Sequence, residues 1–146
     1  MMKQLKLEHL RATAPGFFEA SGGYTMQVKP YTDKTSNGLA KAIIDFINFN
    51  GGDANRINTT GTMRKIKGEM KWTHGGTRRG TADVHAIVNG RHVSIEIKIG
   101  NDKASEHQLK EKARVERAGG LYLIARDMPS FLTWYDSIFV NAATTK

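Results

Sequence analysis

Apolar and polar residues alternate along two consecutive stretches between Gly80 and Gly100. Strict alternation is typical of a half-buried β-strand, because successive side chains point to opposite faces of the sheet. The two stretches meet at Asn89-Gly90, a dipeptide typical of a type I′ turn, in which both central residues need a positive φ. The pattern therefore predicts a tight hairpin in which Val88 pairs with Arg91.

This register gives the predicted hairpin one apolar face and one polar face. The apolar face is expected to pack on helices, and it carries Ala82, Val84, Ala86, Val88, Val93, Ile95, Ile97 and Ile99. The polar face carries Thr81, Asp83, His85, Ile87, His92, Ser94, Glu96 and Lys98.

Continuing the register places Asp83 opposite Glu96 and Thr81 opposite Lys98. Carboxylates on directly opposed residues repel each other and destabilise a sheet. Their oxygens are, however, close enough together to bind one Mg²⁺ or Mn²⁺ ion. The pairing therefore predicts a metal site, with Lys98 on the same face to stabilise negative charge. The alternative is a solvated strand face on which Lys98 or a nearby arginine neutralises the acids.

Apolar spacing and turn residues predict the elements around this hairpin. Glycine and proline mark most of the boundaries. The predicted order is helix, three strands, helix, strand, helix, with a short basic hairpin arm inserted at "MRKIKGEMKW". The boundaries are a first helix capped by Ser36 or Asn37 and ended at Gly51, a strand at 54–59, a helix from Ser105 to about Arg117, a buried strand at 121–125 and a helix starting at Pro129.

The chain of 146 residues is the length of one domain. We assign residues 35–146 to it and treat 1–34 as an N-terminal arm or extension, because Pro15 and several glycines interrupt any period there. Absence of cysteine excludes disulfides and thiolate metal sites. The sequence has no apolar run of membrane-spanning length, no signal peptide and no nucleotide-binding P-loop, so we expect a cytoplasmic protein without a nucleotide cofactor.

The chain carries 22 Lys and Arg against 14 Asp and Glu, a formal charge of +8. Such an excess favours a polyanionic partner, most often nucleic acid, although charge does not separate DNA from RNA. Arg78 and Arg79 lie in a glycine-rich loop just before Asp83, where they would suit phosphate contacts. Other basic residues, including Lys103, extend the predicted surface.

Four short motifs occur in the chain order "RIN", "GTADV", "IEIK" and "ASEHQ". Together they resemble the PD-(D/E)XK nuclease superfamily, and in particular its small stand-alone virus-type replication-repair nuclease group. "GTADV" is similar to the turn that carries the first metal carboxylate, and "IEIK" to the E-x-K strand. "ASEHQ" resembles the Ser-x-x-Gln of the next helix, and "RIN" resembles the segment after the first helix. The sequence departs from the family at Asn37-Gly38, where an acid is common, and at Ala82, where proline is usual.

The resemblance implies an α/β fold with a restriction-endonuclease-like core, whose central mixed sheet is flanked by helices. It implies a Mg²⁺- or Mn²⁺-dependent endodeoxyribonuclease of phages or bacteria, acting in DNA repair or recombination. Further expectations are a homodimer and a preference for branched DNA such as four-way junctions. The alternative function is a non-catalytic DNA-binding or assembly module that keeps the fold. The implied site residues are the metal ligands Asp83, Glu96 and the Ile97 carbonyl, the catalytic partners Lys98 and Gln108, and the DNA contacts Arg56, Arg78, Arg79 and Lys103.

Overall fold

A computed structural model describes residues 31–57, 62–73 and 76–140. Most of the predicted N-terminal arm, with Phe17, Phe18 and Tyr24, lies outside the described residues. Within them, the element order is α1 (Ser36–Phe49), β1 (Asp53–Arg56), β2 (Thr62–Ile66), β3 (Glu69–Thr73), β4 (Val84–Val88), β5 (Arg91–Ile97), α2 (Glu106–Arg117), β6 (Leu121–Ala125), α3 (Met128–Tyr135) and a π-helical turn at Asp136–Val140.

Helix α1 follows from the apolar spacing that predicts it. Leu39, Ile43 and Ile47 are fully buried at helical intervals. The predicted cap is wrong by one residue, because the hydroxyl of Thr35 accepts the N–H of Gly38 and Ser36 is already helical. The helix ends at Phe49, and Gly51 follows with φ 81°, a conformation that glycine adopts without strain.

Strands β1, β4, β5 and β6 form a mixed sheet in that order. The β1–β4 and β4–β5 pairs are antiparallel, and β6 joins β5 in parallel through the crossover helix α2. The predicted hairpin register is confirmed from Val88–Arg91 to Val84–Ile95. Asn89 and Gly90 have φ 48° and 75°, as a type I′ turn requires. The architecture is therefore mixed α/β, with helices flanking a mixed sheet.

The predicted apolar face of the hairpin is the core of the molecule. Its residues from Ala82 to Ile97 are buried, and α1 and α3 pack against this side of the sheet. Phe131 and Tyr135 of α3 meet Phe46 of α1 edge to face, with ring centroids 5.7 and 5.1 Å apart. Phe131 and Tyr135 are both buried, so they belong to this core and not to an exposed surface.

Residues 31–34 belong to the packed structure although the sequence groups them with the arm. Tyr31 is buried in the core cluster, and its hydroxyl donates to the carboxylate of Asp45. Burial, and then the hydrogen bond from Tyr31 to Asp45, raise the pKa of Tyr31. Asp33 accepts the backbone N–H of Met128 at 3.3 Å and so ties this segment to the start of α3.

Strands β2 and β3 form the predicted hairpin arm as a separate two-stranded sheet. Residues 63–72 are all exposed. The arm turns at Lys67-Gly68, whose φ values of 50° and 85° again fit a type I′ turn. Within the part of the chain that the structure describes, no helix is long and apolar enough to cross a membrane.

We expect Tyr31→Ala to lower the free energy of unfolding by about 3–5 kcal/mol, because it removes a buried ring. Tyr31→Phe should cost less, about 1–2 kcal/mol, since it keeps the ring and Asp45 retains the ammonium group of Lys41 at 3.0 Å. Urea denaturation measures both. Wild-type stability in Tyr31→Ala would mean that residues 31–34 are separable from the fold.

Candidate active site

Asp83 lies one residue before β4 and is held there from two directions. Its Oδ2 accepts the backbone N–H of Ile97 at 3.0 Å, and its backbone carbonyl accepts the N–H of Ile57 at 2.8 Å. The antiparallel ladder stops at Val84, so the predicted direct pair of Asp83 with Glu96 does not form part of it. The physical reason is that the Asp83 carboxylate takes the N–H that a longer β4 would have bonded through its backbone.

Glu96 is a buried acid, with 3% of its surface exposed. Its Oε1 accepts a hydrogen bond from the amide of Gln108 and lies 3.2 Å from the ammonium group of Lys98. Its Oε2 is buried and has no hydrogen-bond partner among the described residues. Burial, and then the charge of Asp83, raise the pKa of Glu96 and outweigh the opposing effects of Lys98 and of the Asp83 backbone.

Gln108 reaches Glu96 because it is also part of a helix cap. The hydroxyl of Ser105 accepts the N–H of Gln108 at 3.3 Å, and the side-chain oxygen of Gln108 accepts the N–H of Ser105 at 2.8 Å. This reciprocal capping box fixes the first turn of α2. With its oxygen engaged by Ser105, the Gln108 side chain turns its NH₂ group towards the Glu96 carboxylate.

The loop before Asp83 packs tightly on the start of α2. Gly80 has φ 83°, and a Cβ atom there would lie 2.3 Å from the backbone oxygen of His107. Only glycine satisfies both the backbone conformation and the contact. The loop that carries Arg78 and Arg79 is therefore fixed against the same helix turn that supplies Gln108.

An open cavity of about 560 Å³ lies between this loop, the end of the sheet and α2. It brings together most of the residues predicted from sequence: Asp83, Glu96, Gln108, Arg78 and Arg79. It is also lined by Thr77, Gly80, Thr81, Ser105 and His107. The cavity thus places carboxylates at its base beside two arginines and the N-terminal turn of α2, where backbone N–H groups favour anions.

The two arginines of the loop have different surroundings. Arg78 lies 3.8 Å from the carboxylate of Glu111 on α2, and Glu111 also accepts a hydrogen bond from Arg114. Arg79 is exposed and forms no ion pair among the described residues. Arg79 therefore presents the less neutralised positive charge at this rim of the cavity.

Four of the predicted site residues are not among the described residues that line the cavity: Arg56, Ile97, Lys98 and Lys103. The guanidinium group of Arg56 donates to the side-chain oxygen of Asn37 at 2.7 Å, so Arg56 bridges β1 and the first turn of α1. Lys103 is exposed in the loop between β5 and α2. Contact of Arg56 or Lys103 with DNA stays a prediction, as does the role of the Ile97 carbonyl.

Tyr122 is a residue of this region that the sequence does not mark. It pairs with Ser94 across the parallel β5–β6 ladder, and its buried hydroxyl has no hydrogen-bond partner among the described residues. Burial, followed by the charges of Glu96, Glu111 and Asp83, raises its pKa. "LYLIA" is simply an apolar strand in sequence, so only the tertiary structure reveals this neighbour of the acids. His107 also lines the cavity. Its position between Ser105 and Gln108 is the only sequence signal that could have indicated this.

His85 and His92 lie on the polar face, with ring centroids 5.1 Å apart. His92 is hydrogen bonded to Ser94 at 2.9 Å. Burial, and then His92, lower the pKa of His85, against the opposing effect of Glu111. Neither histidine lines the cavity of Asp83 and Glu96.

Asp83 and Glu96 each have a carboxylate oxygen that could bind a divalent cation. Glu96 keeps one buried oxygen without a partner among the described residues, and Ile97 occupies only Oδ2 of the two Asp83 oxygens. Hard oxygen donors of this kind suit Mg²⁺ and Mn²⁺. The described residues contain no cluster of three or more His, Cys, Asp or Glu, so other ligands would have to come from backbone, water or substrate.

A comparison with protein-family models and a search of curated proteins find no match to this chain. The geometry of the site is therefore the basis for its interpretation.

Two variants of Asp83 separate its structural bond from its charge. We expect Asp83→Ala to lower the free energy of unfolding by about 1–3 kcal/mol, because the buried N–H of Ile97 loses its acceptor. Asp83→Asn keeps an acceptor oxygen and should stay within about 1 kcal/mol of the wild type. Chemical denaturation without divalent cations makes the comparison. Equal stability of the two variants would show that the Ile97 bond contributes little.

For Glu96, we expect the metal-free Glu96→Gln variant to be more stable than the wild type at pH 8. The raised pKa means that protonation of Glu96 stabilises the folded state; this contribution is complete below the ordinary value of 4.5 and is lost as pH rises through the folded pKa. The stability gap should therefore close as pH falls towards 4.5. Denaturation curves in EDTA at several pH values test it, with the exposed Glu106→Gln as matched control. A gap that is independent of pH would contradict the assignment.

Proposed function

We propose that the protein is a divalent-metal-dependent endodeoxyribonuclease with a restriction-endonuclease-like fold. The observation that carries the proposal is the unpartnered, buried Oε2 of Glu96 beside Asp83, at the base of a cavity lined by arginines. Keeping an ionised carboxylate in such surroundings costs several kcal/mol unless a cation or strong donors compensate. A site with that cost is commonly a functional one.

Asp83 and Glu96 would hold Mg²⁺ or Mn²⁺ in this proposal. The bound ion supplies Lewis-acid chemistry, which makes water a better nucleophile and neutralises charge on the phosphate. In the hydrolysis, an oxygen of water bonds to phosphorus and the P–O bond to one nucleoside breaks. The products are a terminal phosphate and a hydroxyl group.

Lys98 and Gln108 would prepare the acids and the phosphate for this reaction. The side chain of Lys98 is 15% exposed and its ammonium group lies 3.2 Å from Glu96, so a positive charge stands beside the carboxylate that would hold the metal. Gln108 holds one oxygen of Glu96, which restricts the carboxylate to an orientation set by the α2 cap. Gln108 thus acts as a positioning residue.

A nucleic acid is the proposed substrate because an open cavity with a basic rim suits a polyanion, and the resemblance to the PD-(D/E)XK nucleases favours DNA over RNA. The formal charge of +8, the exposed Arg79 and the N-terminal turn of α2 all favour phosphate near the acids. Arg56 and Lys103 would add contacts outside the cavity. Arg78 shares its charge with Glu111 and should contribute less than Arg79.

The finer proposal is a homodimer that prefers branched DNA, including four-way junctions. Two identical sites related by a two-fold axis would match a substrate of similar symmetry and would permit paired cuts. Since Phe131 and Tyr135 are in the core, such a dimer would have to use other surfaces.

A second candidate function is a DNA-binding or assembly module that keeps the fold without cleavage. It is favoured by Asn37, which stands where the related nucleases commonly have an acid and which binds Arg56. It is also favoured by the lack, in the described residues, of a cluster of three metal-binding side chains. The two functions differ in whether divalent cations lead to strand cleavage.

We expect cleavage of plasmid DNA in Mg²⁺ or Mn²⁺ and none in EDTA. Asp83→Asn, Glu96→Gln and Lys98→Ala should each lower the rate by at least about 100-fold, because each alters charge at the reacting phosphate. Lys110→Ala, which removes an exposed lysine paired with Glu106, is the control and should retain activity. Circular dichroism checks that every variant folds.

The same assay is repeated on synthetic four-way junction, duplex, flap, single-stranded DNA and RNA, with light scattering for mass. Faster cutting of the junction by a dimer supports the finer proposal, whereas equal cutting of all DNA forms by a monomer refutes it. Metal-independent DNA binding without any cleavage would favour the assembly module. Preferential cutting of RNA would replace the substrate while leaving the chemistry unchanged.

A further inference from the structure

The hairpin arm, β2 and β3 with their Lys67-Gly68 turn, exposes apolar side chains that the core does not use. Met63, Ile66, Met70 and Trp72 have 49, 39, 60 and 57% of their surfaces exposed. Isolated exposed apolar residues are ordinary, but a tryptophan and two methionines on one short hairpin indicate a binding surface.

The ladder places Met63, Met70 and Trp72 on one face of the arm and Ile66 on the other. Met63 pairs with Trp72, and Lys65 pairs with Met70. Because cross-strand partners point the same way and neighbours along a strand alternate, these four side chains share a face. The opposite face carries the pairs Arg64–Lys71 and Ile66–Glu69.

The charge of the arm indicates which kind of ligand this surface would bind. Arg64, Lys65, Lys67 and Lys71 oppose the single carboxylate of Glu69, which lies 3.3 Å from Lys71. Among the described residues, Arg64, Lys65 and Lys67 form no ion pair. A net positive arm does not complement a second copy of itself, but it complements a polyanion.

We propose that the hairpin arm binds unpaired nucleotides of DNA, with a base stacked on the indole of Trp72 and the cationic side chains on the neighbouring phosphates. Aromatic side chains interleaved with basic ones are the usual means of holding single strands. Duplex DNA offers phosphates to the cations but keeps its base faces stacked, so it leaves the apolar face of the arm without a partner. This inference rests on the proposed function for its choice of DNA, and it assigns unpaired nucleotides to the substrate.

The arm leads into the loop of Arg78 and Arg79 that lines the cavity of Asp83 and Glu96. Only residues 74–77 separate the last residue of β3 from Arg78. Five residue steps span at most about 18 Å, so a single DNA molecule can contact both the arm and this loop. Such a contact would select substrates with a branch, gap or flap over continuous duplex.

The test measures binding in EDTA, where cleavage does not intervene. Oligo(dT) is titrated into the protein while tryptophan fluorescence is recorded, with a duplex of the same length in parallel. We expect oligo(dT) to quench the wild-type fluorescence and the duplex to quench it much less. Trp72→Phe should lose this quenching but keep affinity within about threefold, because phenylalanine still stacks.

Trp72→Val is the decisive variant, because valine keeps the strand propensity of the position and removes the stacking surface. We expect its affinity for oligo(dT) to fall about 5- to 150-fold, the range for loss of one stacked base. Backbone nuclear Overhauser effects between the paired residues Arg64 and Lys71 show whether the arm stays formed.

Charge is tested separately at the turn. Lys67→Asn removes a positive charge at a position with φ 50°, which asparagine tolerates, so the arm should persist. Lys67→Asn combined with Arg64→Gln should reduce the slope of log affinity against log salt by up to about 1.4, at about 0.7 per lost contact on single strands. Lys34→Gln combined with Lys110→Gln removes two exposed lysines on other segments; this charge-matched control should change the slope less.

Wild-type affinity in Trp72→Val with the arm intact would overturn the inference. Equal quenching by duplex and oligo(dT) would also overturn it, as would a dimer that dissociates in Trp72→Val, since the apolar face would then contact another protein chain. Trp72-dependent binding without cleavage in Mg²⁺ would refute the nuclease proposal alone. Cleavage without Trp72-dependent binding would refute this inference alone.

Discussion

The burial of the Glu96 carboxylate is the constraint around which the described site is arranged. Removing a carboxylate from water costs several kcal/mol even after relaxation. Lys98 and Gln108 both stabilise Oε1, yet Oε2 has no partner among the described residues, and the pKa of Glu96 stays raised. These contacts, together with the backbone of Asp83, therefore do not fully offset burial and the charge of the Asp83 carboxylate. A cation between the acids would supply what is missing, which is why we assign the site a function.

A few residues around Glu96 make contacts that both stabilise the fold and shape the site. Asp83 takes the Ile97 N–H, so the first acid is fixed by the strand that carries the second. Gln108 closes the capping box of α2 and contacts Glu96 with the same side chain. Gly80 then allows the arginine loop to approach α2 closely. Each contact serves both the fold and the site, so a single substitution here alters the local packing and the arrangement of the acids together.

The hairpin arm and the core are stabilised by different interactions. The central sheet is stabilised by apolar residues buried against α1 and α3, whereas residues 63–72 of the arm are all exposed. A lone two-stranded hairpin is marginally stable in water, and here it depends on its type I′ turn and on cross-strand pairs such as Met63–Trp72. Exposed apolar and basic groups on such an element are better explained by contact with a ligand than by folding.

Sequence alone determined the elements and the two faces of the β4–β5 hairpin. Alternation and the Asn89-Gly90 turn fix the register, because a slip of one residue would expose every apolar side chain of that hairpin. The same local logic predicts α2 from its Ser105 cap. Only the resemblance to the nuclease motifs suggested that Gln108 belongs with Asp83 and Glu96, and the cavity brings these three residues together.

Only the tertiary structure decided how those residues contact one another. Alternation shows which face Glu96 is on, but not that α2 covers that face and buries it. It does not show that Asp83 leaves the ladder to bond Ile97, that Glu111 partly neutralises Arg78, or that Tyr122 lies near the acids. These contacts join residues far apart in sequence, and they depend on how helices and loops pack on the sheet. Local periodicity carries no information about that packing.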